Sequence, residues 1–84
     1  MTTSPAGMWV GKTNPDVSLD IEDGGFIKIT RGSQEQIGSW ASSGKDAIKA
    51  TFADQPYDLS FQRRDLKLTI TLPGENTPSE FEQM

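Results

Sequence analysis

Apolar residues in this chain recur at every second position, and the phase of that alternation carries from one segment into the next when the chain is folded back on itself. Val17-Ser-Leu-Asp-Ile21 alternates strictly, which is the period of a strand with one buried face. A three-residue loop at Asp23-Gly24-Gly25 sets Ile21 opposite Ile27 and Leu19 opposite Ile29. The same register sets Asp20 opposite Lys28 on the other face, a favourable cross-strand charge pair. A turn one residue shorter would invert every side chain of the strand.

The pattern continues along the chain. A loop at 53–56 sets Phe52 opposite Tyr57, Ala50 opposite Leu59 and Ile48 opposite Phe61. A loop at 62–65 sets Phe61 opposite Leu66, Leu59 opposite Leu68 and Tyr57 opposite Ile70. In the middle, loops at 32–35 and 43–45 place Ile27 beside Trp40 and Trp40 beside Ile48. Near the N-terminus a loop at 12–16 makes Trp9 face Leu19, and after Pro73-Gly74 the chain returns with Phe81 over Ile70. Gly7, Gly11 and Gly38 share the inward face with the two tryptophans, where glycine marks a bend or a close approach. The expected fold is all-β: an antiparallel up-and-down meander of seven to eight short strands curled into a small barrel. Residues 1–6 read as a flexible leader and 7–84 as a single barrel domain.

Composition narrows the chemistry. Only 33% of the 84 residues are hydrophobic, so the core is thin. Cysteine and histidine are both absent, which removes thiol nucleophiles, disulfides, the commonest zinc ligands and the usual general base. Ser42 and Ser43 therefore have no imidazole to activate them, and no residue set supplies a nucleophile with a base. A non-enzymatic role without cofactor or metal is expected. Asp20, Glu22 and Asp23 cluster at a turn, but their spacing is not that of a calcium loop. Ser43-Gly44-Lys45 lacks the upstream glycine of a phosphate loop.

A net charge of −4 with interleaved signs argues against nucleic acid as a partner. No apolar run approaches the ~20 residues of a membrane-spanning helix, so no membrane association is expected. Residues 1–7 have neither the basic nor the apolar region of a secretory signal. The expected compartment is cytoplasmic if Met1 is the native start, and periplasmic or extracellular if a leader was removed.

The order Gly7-Met-Trp-Val-Gly11, Asp23-Gly24, Gly38-Ser-Trp40, Asp65-Leu-Lys-Leu-Thr69, Gly74 and Phe81 resembles that of small bacterial lipocalin-like (calycin-like) domains. The resemblance covers most of the chain from Gly7 onward. It implies an up-and-down barrel and often an exported setting. It transfers no catalytic residue, and many such domains have no assigned activity.

Two functional readings follow. The first is a small acidic protein-binding module, an inhibitor or accessory subunit, that uses the outer face of the barrel. Met8, Val10, Phe26, Ile37 and Ala41 project outward in the expected register, and Arg63 and Arg64 sit at a hairpin tip as polar contacts. The alternative is a carrier of small apolar ligands, with a pocket lined by Trp9, Trp40, Phe52, Tyr57 and Phe61. Core packing competes with that role, because aromatic residues dominate small cores. A protein partner is expected, to a monomer or, if the sheet stays open, to a dimer formed through its first strand.

Overall fold

A computed structural model describes residues 4–84. Eight strands follow one another in chain order: β1 (Gly7–Gly11), β2 (Val17–Ile21), β3 (Phe26–Arg31), β4 (Gln34–Gly44), β5 (Ala47–Phe52), β6 (Gln55–Arg64), β7 (Lys67–Ile70) and β8 (Ser79–Gln83). Each pairs antiparallel with its neighbour, and β8 pairs with both β7 and β1, which closes the barrel. The described residues include no helix long and apolar enough to cross a membrane. Because β1 is paired on both sides, the open sheet that an edge-strand dimer needs is not present.

The alternation read from the sequence becomes the inner surface. Trp9, Leu19, Ile21, Ile27, Ile29, Ile48, Leu59, Phe61, Leu68, Ile70 and Phe81 are all buried, and no polar or charged residue is buried among them. The β2–β3 hairpin pairs Ile21 with Ile27, Leu19 with Ile29 and Asp20 with Lys28, and β1 pairs Trp9 with Leu19, all as expected.

Four hairpins differ from expectation in one consistent way. Their turns are tighter, so each ladder zips further. Residues 53–54 alone make the β5–β6 turn, which puts Ala50 opposite Tyr57, Ile48 opposite Leu59 and Phe52 opposite Gln55. At β3–β4, Arg31 pairs with Gln34 and Ile27 with Gly38 instead of Trp40. At β4–β5, Trp40 pairs with Ala50 and Ser42 with Ile48, with a bulge between Ser42 and Gly44. The largest change is at β6–β7, where Phe61 lies opposite Ile70 instead of Leu66. Each slip is by an even number of residues up to the β4 bulge, so the strands keep their inward phase, while Leu66 passes into a turn. At the C-terminus Phe81 pairs with Leu68, and Ile70 with Ser79.

Two of the tight turns, at β5–β6 and β6–β7, depend on positive φ at residues other than glycine. Ala53 and Asp54 have φ of 50° and 65°, and Asp65 has 53°. Two successive positive φ angles are what a two-residue hairpin turn matched to strand twist requires. Asn-Gly meets that need more readily than Ala-Asp.

Glycine serves close approach at two strand positions. A Cβ on Gly38 would overlap the Thr51 carbonyl and sit 2.8 Å from the Phe52 ring, and one on Gly11 would overlap the Asn14 carbonyl. The space at Gly38 is therefore taken by β5 rather than by Trp40. At Gly7 the expected neighbour is the right one, because the Trp9 indole lies 3.3 Å from where a Cβ would be.

Two outcomes test this account. Gly38→Ala should destabilise the barrel by about 2 kcal/mol, since it overpacks a backbone contact, and urea denaturation measures this. The double change Ala53→Asn/Asp54→Gly should raise stability by about 1 kcal/mol by supplying the preferred turn. An unchanged or lower denaturation midpoint would contradict the turn geometry.

Candidate functional site

The five aromatic residues expected to line a ligand pocket form the barrel's packing instead. Trp9 is 0% exposed, and Phe52 and Phe61 are buried with it. Trp40 and Tyr57 are half-buried and pack on the same cluster. The Phe52 and Tyr57 rings lie 6.2 Å apart at a tilt of 54°, an ordinary aromatic contact. Trp40 sits at the barrel's rim, where its indole N–H donates to the Glu22 carbonyl at 2.8 Å and ties down the β2–β3 turn.

The two ends of the barrel are covered by backbone segments, each held by an arginine that starts on the inner face. At one end the segment 4–6 crosses above Trp9. Pro5 is fully buried, and its carbonyl accepts the Trp9 indole N–H at 2.9 Å. Of the leader expected over residues 1–6, positions 1–3 lie outside the described residues. Arg63 donates to the carbonyls of Ser4 and Ala6 at 2.9 and 2.8 Å, and its guanidinium lies 5.0 Å over the Trp9 ring. At the opposite end Arg31 donates to the Pro73 carbonyl at 3.2 Å and pairs with Glu75 at 3.5 Å. Arg31 thereby holds the loop between β7 and β8.

Arg63 is therefore not a hairpin-tip contact. The tight turn at residues 65–66 extends β6, so Arg63 falls opposite Leu68 in the inward phase. Arg64 is exposed on the outer face, opposite Lys67. Leu66, expected to point inward against Phe61, is 63% exposed in the turn.

The remaining outer residues do not form one patch. Met8, Asp20, Lys28 and Ile37 lie in a row across β1 to β4, so a charged pair separates Met8 from Ile37. Val10 is likewise followed by Ser18 and Thr30, and both Val10 and Phe26 are half-buried. Phe26 pairs with Ser39, not with Ala41, and Ile37 stands diagonal to it on β4.

Closure of the barrel assembles a different cluster. Among the described residues the exposed large apolar side chains are Met8 at 54%, Ile37 at 59%, Leu66 at 63% and Met84 at 65%. Three of these four lie at one end of the barrel: Met8 on β1, Met84 just after β8 and Leu66 in the β6–β7 turn. The Met84 amide donates to the Met8 carbonyl at 3.0 Å, which continues the β1–β8 ladder and sets the two methionines opposite each other. The neighbouring Gln83 amide donates to the Leu66 carbonyl at 2.8 Å. Leu66 and Met84 escaped the sequence reading because each acquires its place only when β8 inserts between β7 and β1. The shortened turn that exposes Leu66 has one local signal, an aspartate at a position that needs positive φ.

No group of three or more carboxylates placed to hold a metal ion occurs among the described residues. No family model, characterised protein or solved structure matches the chain. The architecture stands as an eight-stranded antiparallel up-and-down barrel.

The Arg63 clamp makes a measurable prediction. Arg63→Ala should cost about 1–3 kcal/mol by removing a cation–π contact and two charge-assisted hydrogen bonds. It should also shift tryptophan emission to the red, because the cover over Trp9 loosens. Arg63→Lys should fall between, since lysine keeps the charge and loses the fork. Emission and stability equal to wild type in Arg63→Ala would remove the clamp.

Proposed function

We propose that this protein is a non-enzymatic protein-binding module, an inhibitor or accessory subunit, that engages its partner through the outer surface of the barrel. The observation that carries this reading is the placement of the exposed Met8, Leu66 and Met84 at one rim. Exposed apolar side chains gathered at one end of a small barrel mark a contact surface more than scattered ones do. Methionine and leucine on such a rim adapt readily to a partner's shape. The wall beside the rim continues through Val10, opposite Glu82, to Lys67 and Arg64, so an apolar centre has a charged border. A dry interior with aromatics in mutual contact supports surface recognition over ligand enclosure. Kinship with small lipocalin-like domains belongs to the same proposal, resting on the motif order and the barrel architecture.

Affinity capture from the native host, with bound proteins identified by mass spectrometry, tests the surface. Met8→Ser/Leu66→Ser should keep the wild-type circular dichroism and lose a partner that wild type retains. Phe26→Ser/Ile37→Ser, on the β3–β4 face, serves as the comparison. Loss only in the second variant would move the site to that face, and equal recovery by both variants would end the outer-surface reading.

A further inference from the structure

We propose that the outer groove over β6, β7 and β8 is a subsite for an acidic peptide segment, a stretch of partner chain carrying side-chain carboxylates. The inference rests on the protein-binding reading and gives the partner a chemistry.

The groove is an open hollow of about 350 Å3 lined by Lys12, Gln62, Arg64, Lys67, Thr69 and Glu80, among others. Its depth has a simple origin. Thr69 is short and half-buried, and it sits between Gln62 on β6 and Glu80 on β8. One rung along, Arg64 faces Lys67. Long side chains thus surround a short one. Three cations and one carboxylate line this hollow on a chain whose net charge is −4.

The arrangement is costly for the fold alone. Like charges directly opposite on neighbouring strands repel, and Arg64 and Lys67 occupy just such a pair. Among the described residues neither has a carboxylate within 4.0 Å. Glu82 faces Lys67 across β7–β8 and offsets part of its charge without a close ion pair. Glu80 pairs with Lys12 inside the same hollow at 3.8 Å, which leaves Arg64 and Lys67 as its two cations without a close carboxylate. Arg64 and Lys67 therefore present donors with no close ion-pair partner to whatever enters the groove. A guanidinium fork takes a carboxylate in two parallel hydrogen bonds, and the ammonium adds a point charge beside it.

The hollow has room for consecutive side chains of an extended peptide, which exceeds what one small anion fills. Its position supports the same occupant. Arg64 and Lys67 flank Leu66, one of the three apolar residues of the rim. A segment leaving the rim along β7 would pass directly over the cations. The partner signature is an apolar residue followed by acidic ones.

Fluorescence anisotropy with fluorescein-labelled hexaglutamate tests the groove on the intact protein without knowledge of the natural partner. Wild type should bind saturably at low salt, and Arg64→Gln/Lys67→Gln should weaken binding by about tenfold or more. Lys45→Gln/Lys49→Gln makes the same change in net charge on the β4–β5 side and should bind within about twofold of wild type. Absence of saturable binding, or equal weakening in both double variants, would overturn the proposal. Competition by inorganic phosphate as effective as by unlabelled hexaglutamate, at matched ionic strength, would also overturn it by revealing a single-oxyanion site. Failure here with successful capture through Met8 and Leu66 removes the groove alone. Saturable, groove-dependent binding with no rim-dependent partner removes the rim alone.

Discussion

The pairing of β8 with both β7 and β1 is the constraint on which the rest of the molecule depends. It brings Phe81 against Leu68 on one side and Gly11 on the other. Without it, β1 and β7 would each present unpaired backbone donors and acceptors to solvent. Closure lets a chain that is only 33% hydrophobic sustain a dry core, because each strand needs only one apolar face and every such face meets the others inside one cylinder. Gly11, paired with Phe81, can carry no side chain because the Asn14 carbonyl of the following loop occupies the space a Cβ would need.

A closed cylinder still has two open ends, and the protein treats them alike. Arg63 and Arg31 each leave the inner face at a strand's end and hold a crossing segment by its backbone carbonyls. An arginine suits this position because its aliphatic stem can continue the apolar lining while its guanidinium stays at the polar boundary. At the Trp9 end the indole and Pro5 complete the seal. With both ends covered and the aromatic side chains packed on the core, the proposed recognition falls to the outer wall. That is the physical basis for preferring a partner-binding role to a carrier role.

The outer wall itself reads differently in sequence and in space. Met8 and Ile37 look alike along the chain, as exposed apolar residues on alternating strands. In the barrel Asp20 and Lys28 stand between them, so they belong to separate surfaces. Leu66 and Met84 have no conspicuous sequence signature, yet backbone hydrogen bonds set Met84 opposite Met8 and hold Leu66 against the neighbouring Gln83 at the same end of the barrel. Arg63 and Arg64 are neighbours in sequence with opposite fates, because consecutive strand residues point to opposite faces. One serves the seal and the other the wall.

The sequence by itself determined which residues face inward. That property is a two-residue period, and it is carried within each strand by alternation at Val17–Ile21, Ile48–Phe52 and Tyr57–Phe61. It also determined the order of the hairpins and the register of β1–β2–β3, where the turn residues leave one workable pairing. Only the tertiary structure decided how far the other ladders zip; at β5–β6 and β6–β7 that depends on Ala53, Asp54 and Asp65 accepting positive φ. Alanine at position 53 does not announce such a conformation, and aspartate at 54 and 65 is only a weak signal of it. It is adopted because the extra rungs it permits complete the wall. The same holds for the rim and the groove. Both join residues from opposite ends of the chain, and a surface made by closure exists only once the last strand has found the first.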